Sequence, residues 1–166
     1  AFGYSVDITK NGALAIIGAP YTDGSVTNLG AIYLFQRSGD IWTQLSKVIP
    51  SSGNADERFG SSVSISADGL VYAVGAVGND SGGKDAGCVY TYVYSRGTWN
   101  TAKLMASDIT ASDQFGQSVR VSSDGNTLFI GAYAKNKAAL FEKTDSMTII
   151  GDNFKQRLKA VIGSVK

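Results

Sequence analysis

Apolar and polar positions alternate at the start of the chain: Phe2, Tyr4, Val6 and Ile8 fall on one side, Gly3, Ser5 and Asp7 on the other. A period of two predicts a half-buried β-strand. Asn11-Gly12 then breaks the pattern, and Leu14 to Ala19 is apolar without interruption. The dipeptide is a strong hairpin signal, because both central residues of the tight turn take positive φ. The unbroken run suits a second strand covered on both faces. Beyond a polar loop, Gly30 to Phe35 predicts a third strand, and Trp42 to Val48 a fourth after the Ser38-Gly39 turn.

The same pattern returns twice. Phe59-Gly60 and Phe115-Gly116 restart the alternation begun at Phe2-Gly3, Asp68-Gly69 and Asp124-Gly125 restate the turn, and Gly75-Ala76 and Gly131-Ala132 close the second strand as Gly18-Ala19 does. A period this long and this regular marks a repeat architecture. Four antiparallel strands repeated about an axis predict an all-β fold of three β-propeller blades, over about 1–50, 51–107 and 108–151. The closing glycines suggest close backbone approach to a neighbouring unit.

The third repeat departs from this pattern. Its loop between second and third strands shrinks to Ala134–Lys137, and its fourth strand, without a tryptophan, is placed at Met147 to Ile150. After Gly151 the period changes. Asp152 or Asn153 can cap a helix, and Phe154, Leu158, Val161 and Val165 follow at steps of four, three and four. Residues 152–166 are therefore expected to form a short amphipathic C-terminal helix or tail. Its stripe packs on the blades or joins identical chains, or else the segment is a frayed tail or an extra strand.

Composition narrows the function classes. With 43% hydrophobic and 17% charged residues in a chain of 166, disorder is not expected. A net charge of +1 argues against a nucleic-acid binder, and no run of about 20 apolar residues offers a membrane span. No signal peptide is recognised. Cys88, the single cysteine, stands where the first repeat has Ala31 and reads as a small buried residue.

Chemistry is sparse. Without histidine there is no Ser-His or Cys-His nucleophile. Ser81-Gly82-Gly83-Lys84 lacks the spacing of a phosphate loop. Asp56-Glu57 recurs as Ser112-Asp113, which favours a turn or capping role. Catalysis is not expected, nor is a cofactor. The variable loops emerge on one face, where recognition usually sits. They supply the candidate ligand contacts Tyr21, Asp23, Asn28, Asn79, Asp80, Lys84, Asp85, Tyr133 and Lys135, with Tyr21 and Tyr133 read as equivalent positions just past the second strand.

The three Phe-Gly starts, Gly18-Ala19-Pro20, and the third- and fourth-strand patterns of Gly30–Phe35 and Trp42–Val48 resemble the FG-GAP repeat family, in its short bacterial and viral form, related to integrin α-subunit blades. The likeness covers roughly residues 2 to 150. It implies a propeller that binds a protein or glycan outside the cell. Integrin blades often carry a Ca²⁺ loop in the turn joining the first two strands. Here Asn11, Asp68 and Asp124 offer too few carboxylates for six to eight oxygen ligands, so they read as hairpin residues and no metal is expected. Such propellers generally close with six to eight blades, so the chain is either part of a longer propeller or a homo-oligomer, with Phe154, Leu158, Val161 and Val165 as the seam. Two readings follow: an extracellular recognition module, or a virion or cell-surface structural protein whose blades complete a ring by self-association.

Overall fold

The computed structural model describes residues 1–135, 137–143 and 154–160. Three four-stranded antiparallel sheets follow one another along the chain. Blade one comprises β1 (Ser5–Ile8), β2 (Leu14–Ala19), β3 (Ala31–Ser38) and β4 (Ile41–Val48). Blade two comprises β5 (Phe59–Ile65), β6 (Val71–Ala76), β7 (Cys88–Ser95) and β8 (Thr98–Leu104). Blade three comprises β9 (Phe115–Val121), β10 (Thr127–Ala132), β11 (Lys137–Lys143) and β12 (Phe154–Ala160), with one 3-10 turn, Tyr133–Lys135, before β11. Among the described residues no helix is long and apolar enough to cross a membrane.

The expected C-terminal helix is corrected over 154–160. This segment is a strand, antiparallel to β11, with Leu140 opposite Leu158 and Lys143 opposite Phe154. The physical reason is the free edge of β11, whose backbone groups need a fourth strand to pair with. Phe154 and Leu158 therefore belong to the blade and form no helical seam, while Val161 and Val165 lie outside the described residues. So does Met147 to Ile150, where the fourth strand was expected.

The core lies between the sheets. One apolar layer joins Ile16 and Ile32 of blade one to Phe59, Val63, Val74 and Tyr92 of blade two. The next joins Val71, Ala73 and Val89 of blade two to Phe115, Leu128, Ile130 and Phe141 of blade three. A middle blade must be covered on both faces, and β6 is buried at every position. In β10 burial alternates, because only one face meets a neighbour. The unbroken apolar run expected to be covered on both sides is so covered in blade two alone.

The β1–β2, β5–β6 and β9–β10 hairpins are wider than the two-residue turn expected. Only the glycines Gly12, Gly69 and Gly125 take positive φ; Asn11, Asp68 and Asp124 do not. Thr9 and Leu14 close the loop through backbone, and Asn11 Oδ1 accepts from the Thr9 hydroxyl and the Ala13 N–H. Asp68 serves Ser66 and Leu70, and Asp124 serves Ser122 and Asn126, in the same way. These three residues do act as hairpin residues.

Candidate functional site

The β2–β3 and β6–β7 loops share one end of the sheets with the linkers that lead into β5 and β9. Each loop is tied internally first. Asp23 Oδ1 accepts from the Asn28 N–H at 2.9 Å, and Asp80 Oδ1 from the Asp85 N–H at 2.8 Å. Both bonds span five residues and close the loop around its glycines. Asn28 and Asp85 then take left-handed backbone, φ 50° and 52°, which their short polar side chains tolerate.

That turn aims the loop at the next blade. The carbonyls of Thr27, Asn28 and Leu29 accept from the N–H groups of Asp56, Arg58 and Phe59 at 2.9–3.0 Å. One blade on, Lys84, Asp85 and Ala86 accept from Ser112, Gln114 and Phe115 at 2.8–3.2 Å. Asn28 Nδ2 adds a bond to Asp56 Oδ1 at 2.7 Å. The polar loop residues thus form the backbone seam between blades.

Between Asp56 and Arg58, on the linker of the first seam, stands Glu57, fully buried. Its Oε2 accepts from the Asn54 N–H at 3.0 Å, and its Oε1 from Asn79 Nδ2 at 2.9 Å and the Tyr90 hydroxyl at 2.7 Å. Burial, with Cys88 and the Glu57 carboxylate beside it, pushes the Tyr90 phenol far above its ordinary range, so it stays protonated and donates. Lys103 Nζ lies 5.8 Å from the Tyr90 ring centre and donates to Ser81 Oγ at 2.7 Å. In blade three Asp113 takes the Glu57 position and accepts from the Thr110 N–H at 2.8 Å and its hydroxyl at 3.1 Å. The turn-capping role read from Asp56-Glu57 and Ser112-Asp113 is what these bonds perform. Their recurrence was visible in the sequence; the burial of Glu57 was not.

The nine candidate contacts therefore divide. Asn28 and Asp85 bind the next blade through their backbone, and Asn79 is buried against Glu57. Asp23 and Asp80 brace their own loops yet stay exposed, as does Lys84. Tyr21 is exposed with its ring edge-on to Tyr4, centroids 5.8 Å apart. Tyr133, 75% exposed, directly follows Ala132 as Pro20 follows Ala19, so it matches Pro20 and not Tyr21. Lys135 ends the 3-10 turn. Among the described residues no three His, Cys, Asp or Glu side chains converge on a possible metal position.

The FG-GAP repeat matches residues 1–35, 42–92 and 99–146. The chain belongs to the FG-GAP repeat family. The second and third FG-GAP units each begin on the outer strand of one blade, β4 or β8, and end on or beyond the third strand of the next. No curated protein sequence matches the chain.

Among solved structures the FG-GAP chain is similar to a 6-phosphogluconolactonase candidate from Bacteroides fragilis NCTC 9343, at 13% identity and a TM-score of 0.58 over 94% of this chain and 39% of that one. A second such candidate, from Bacteroides uniformis ATCC 8492, shares 15% identity with a TM-score of 0.55, over 92% and 39%. The periplasmic gluconolactonase of Pseudomonas aeruginosa shares 14% with a TM-score of 0.50, over 94% and 42%. The chain thus spans about two fifths of the length of the solved structures it matches. This corrects the expectation that the chain is not an enzyme: its fold is shared with proteins that carry lactonase names, so the blade architecture gives no ground for setting catalysis aside.

Proposed function

We propose that this FG-GAP chain is a recognition module that binds a protein or a glycan with the loop end of its blades. The observation that carries the reading is exposed Tyr21, edge-on to exposed Tyr4 and two residues before Asp23, on a loop pinned to the next blade. An aromatic face next to a carboxylate suits the apolar face and the hydroxyls of a sugar ring, or a mixed protein surface. The pinning lowers the entropy lost on binding, since little of the loop remains to be ordered. Asp80, Lys84 and Tyr133 extend the polar rim.

The test is a glycan array and a surface-display binding screen with the intact chain, each repeated with Tyr21→Ala and Tyr133→Ala. Losing an exposed ring should weaken binding about tenfold or more and leave the melting temperature unchanged. A bound ligand indifferent to both substitutions, or no ligand on any surface, refutes the assignment of this face.

A further inference from the structure

Two blade junctions are visible, and they are one junction built twice. At each, a phenylalanine that opens the following blade, Phe59 or Phe115, is buried. A serine hydroxyl on the preceding blade donates to the next glycine's carbonyl: Ser5 to Gly60 at 2.9 Å, Ser62 to Gly116 at 2.7 Å. A glycine on the preceding blade's second strand makes room, since a Cβ on Gly18 or Gly75 would lie 2.1 or 2.0 Å from that carbonyl oxygen.

The same parts recur, unused, on the two outer faces. Blade one presents Phe2, Val6 and Ile8, which are 59%, 67% and 51% exposed, where their counterparts Phe59, Val63 and Ile65 are 0%, 8% and 6%. Gly3 has φ +85°, matching +92° and +91° at Gly60 and Gly116. Blade three presents Ser118 and Gly131 in the serine and glycine positions, and the three described atoms nearest a Cβ on Gly131 all belong to Ser118 of its own blade. Phe129, exposed, stands where Ile16 and Ala73 are fully buried.

We propose that these faces are the two halves of a third junction, and that its occupant is a second copy of this chain, joined head to tail. Charge supports that occupant. At the first junction Asp7 Oδ2 accepts from Ser64 Oγ and the Ile65 N–H, both at 2.9 Å, and at the second Ser64 Oγ accepts from the Val121 N–H at 3.1 Å. Arg120 holds the matching position in blade three and already reaches Asp7 of its own chain at 3.7 Å. A third junction would set Arg120 of one copy beside Asp7 of the next, opposite charges at the meeting point. Arg120 cannot accept from the Ile8 N–H as Asp7 and Ser64 do for their neighbours, and that N–H is already satisfied by its own Asp7 Oδ1 at 2.9 Å. The pairing is heterologous, blade one of one chain against blade three of another. It does not depend on the recognition reading.

The experiment is light scattering on the whole chain and on Val6→Glu and Phe129→Glu, one on each face. Both side chains are exposed within one chain, so both variants should fold, and melt as the parent does when it is diluted to single chains. Gly131→Ala, which adds a methyl where the Gly3 carbonyl would sit, is a second variant of the blade-three face. The parent should run as a multiple of the single-chain mass, and each variant should associate about a hundredfold more weakly. Mixed one to one, Val6→Glu and Phe129→Glu retain one intact pair of faces and should form a complex of two chains. A monomeric parent overturns the proposal, as does assembly that survives both substitutions or a mixture that stays monomeric.

Discussion

An alanine at Gly75 places one methyl carbon 2.0 Å from the Gly116 carbonyl oxygen of the next blade and 2.4 Å from Ser62 Oγ, where ordinary contact begins at 3.4 Å. The carbonyl belongs to backbone, so blade three must retreat by more than an ångström. That retreat opens the buried bond from Ser62 Oγ to Gly116 O, worth about 1–3 kcal/mol when its groups are left unsatisfied. Overpacking between β6 and β9 adds about 1–3 kcal/mol. The sum, about 2–6 kcal/mol, corresponds to a fall of roughly 4–24 °C in melting temperature for a domain of this size. Urea and thermal unfolding at one fixed protein concentration measure it. Gly131→Ala is the control, compared with its parent at a protein concentration low enough that both run as single chains: same repeat position, same added methyl, with the Ser118 side chain nearest to it. That side chain can turn aside, so the cost should stay below about 1 kcal/mol. Equal costs at the two positions, or none at Gly75, would refute the argument that the blades approach through these glycines.

Two further outcomes follow from the buried groups. Glu57→Gln replaces one acceptor by a donor among Asn54, Asn79 and Tyr90, and should cost about 1–3 kcal/mol; faster amide exchange at Ala86 and Gly87, on the loop that Asn79 anchors, would show where the damage lands. Burial pushes the Cys88 thiol up to about 12, so thiol reagents at pH 8 should label it only as the chain unfolds. Its value is raised on folding, so its contribution to stability is complete below the unfolded thiol's pKa and is lost as pH climbs from there towards 12; urea midpoints should fall across that window in the parent more than in Cys88→Ala.

The repeat, the three sheets and most strand limits could be read from the chain because each blade is a local hairpin series with its own turn signals. Residues 154–160 could not. Phe154 and Leu158 are four apart, and four is both one helical turn and an even number, so the spacing fits a helix or a strand equally. What decides is the unpaired edge of β11, which no window of sequence contains. The loop residues mislead for a related reason. Asn28 meets Asp56, and Asn79 meets Glu57, across separations of 28 and 22 residues. A polar residue that fastens one blade to another has the same local signature as one that faces water. Val6 and Val63 make the point in reverse: the same residue in the same repeat position is exposed or buried according to whether a blade stands beside it.

The offset between the repeated unit and the sheet carries a consequence for how such chains grow. A unit such as residues 42–92 brings the last strand of one blade together with the first three of the next. Each such unit starts on an outermost strand and stops on or beyond the third strand of the next sheet, so duplicating or deleting one whole unit rejoins a third strand to a fourth and restores the hairpin between them. Lengthening the array is a matter of copying alone, and the molecule can gain or lose a wedge without redesigning any of the others.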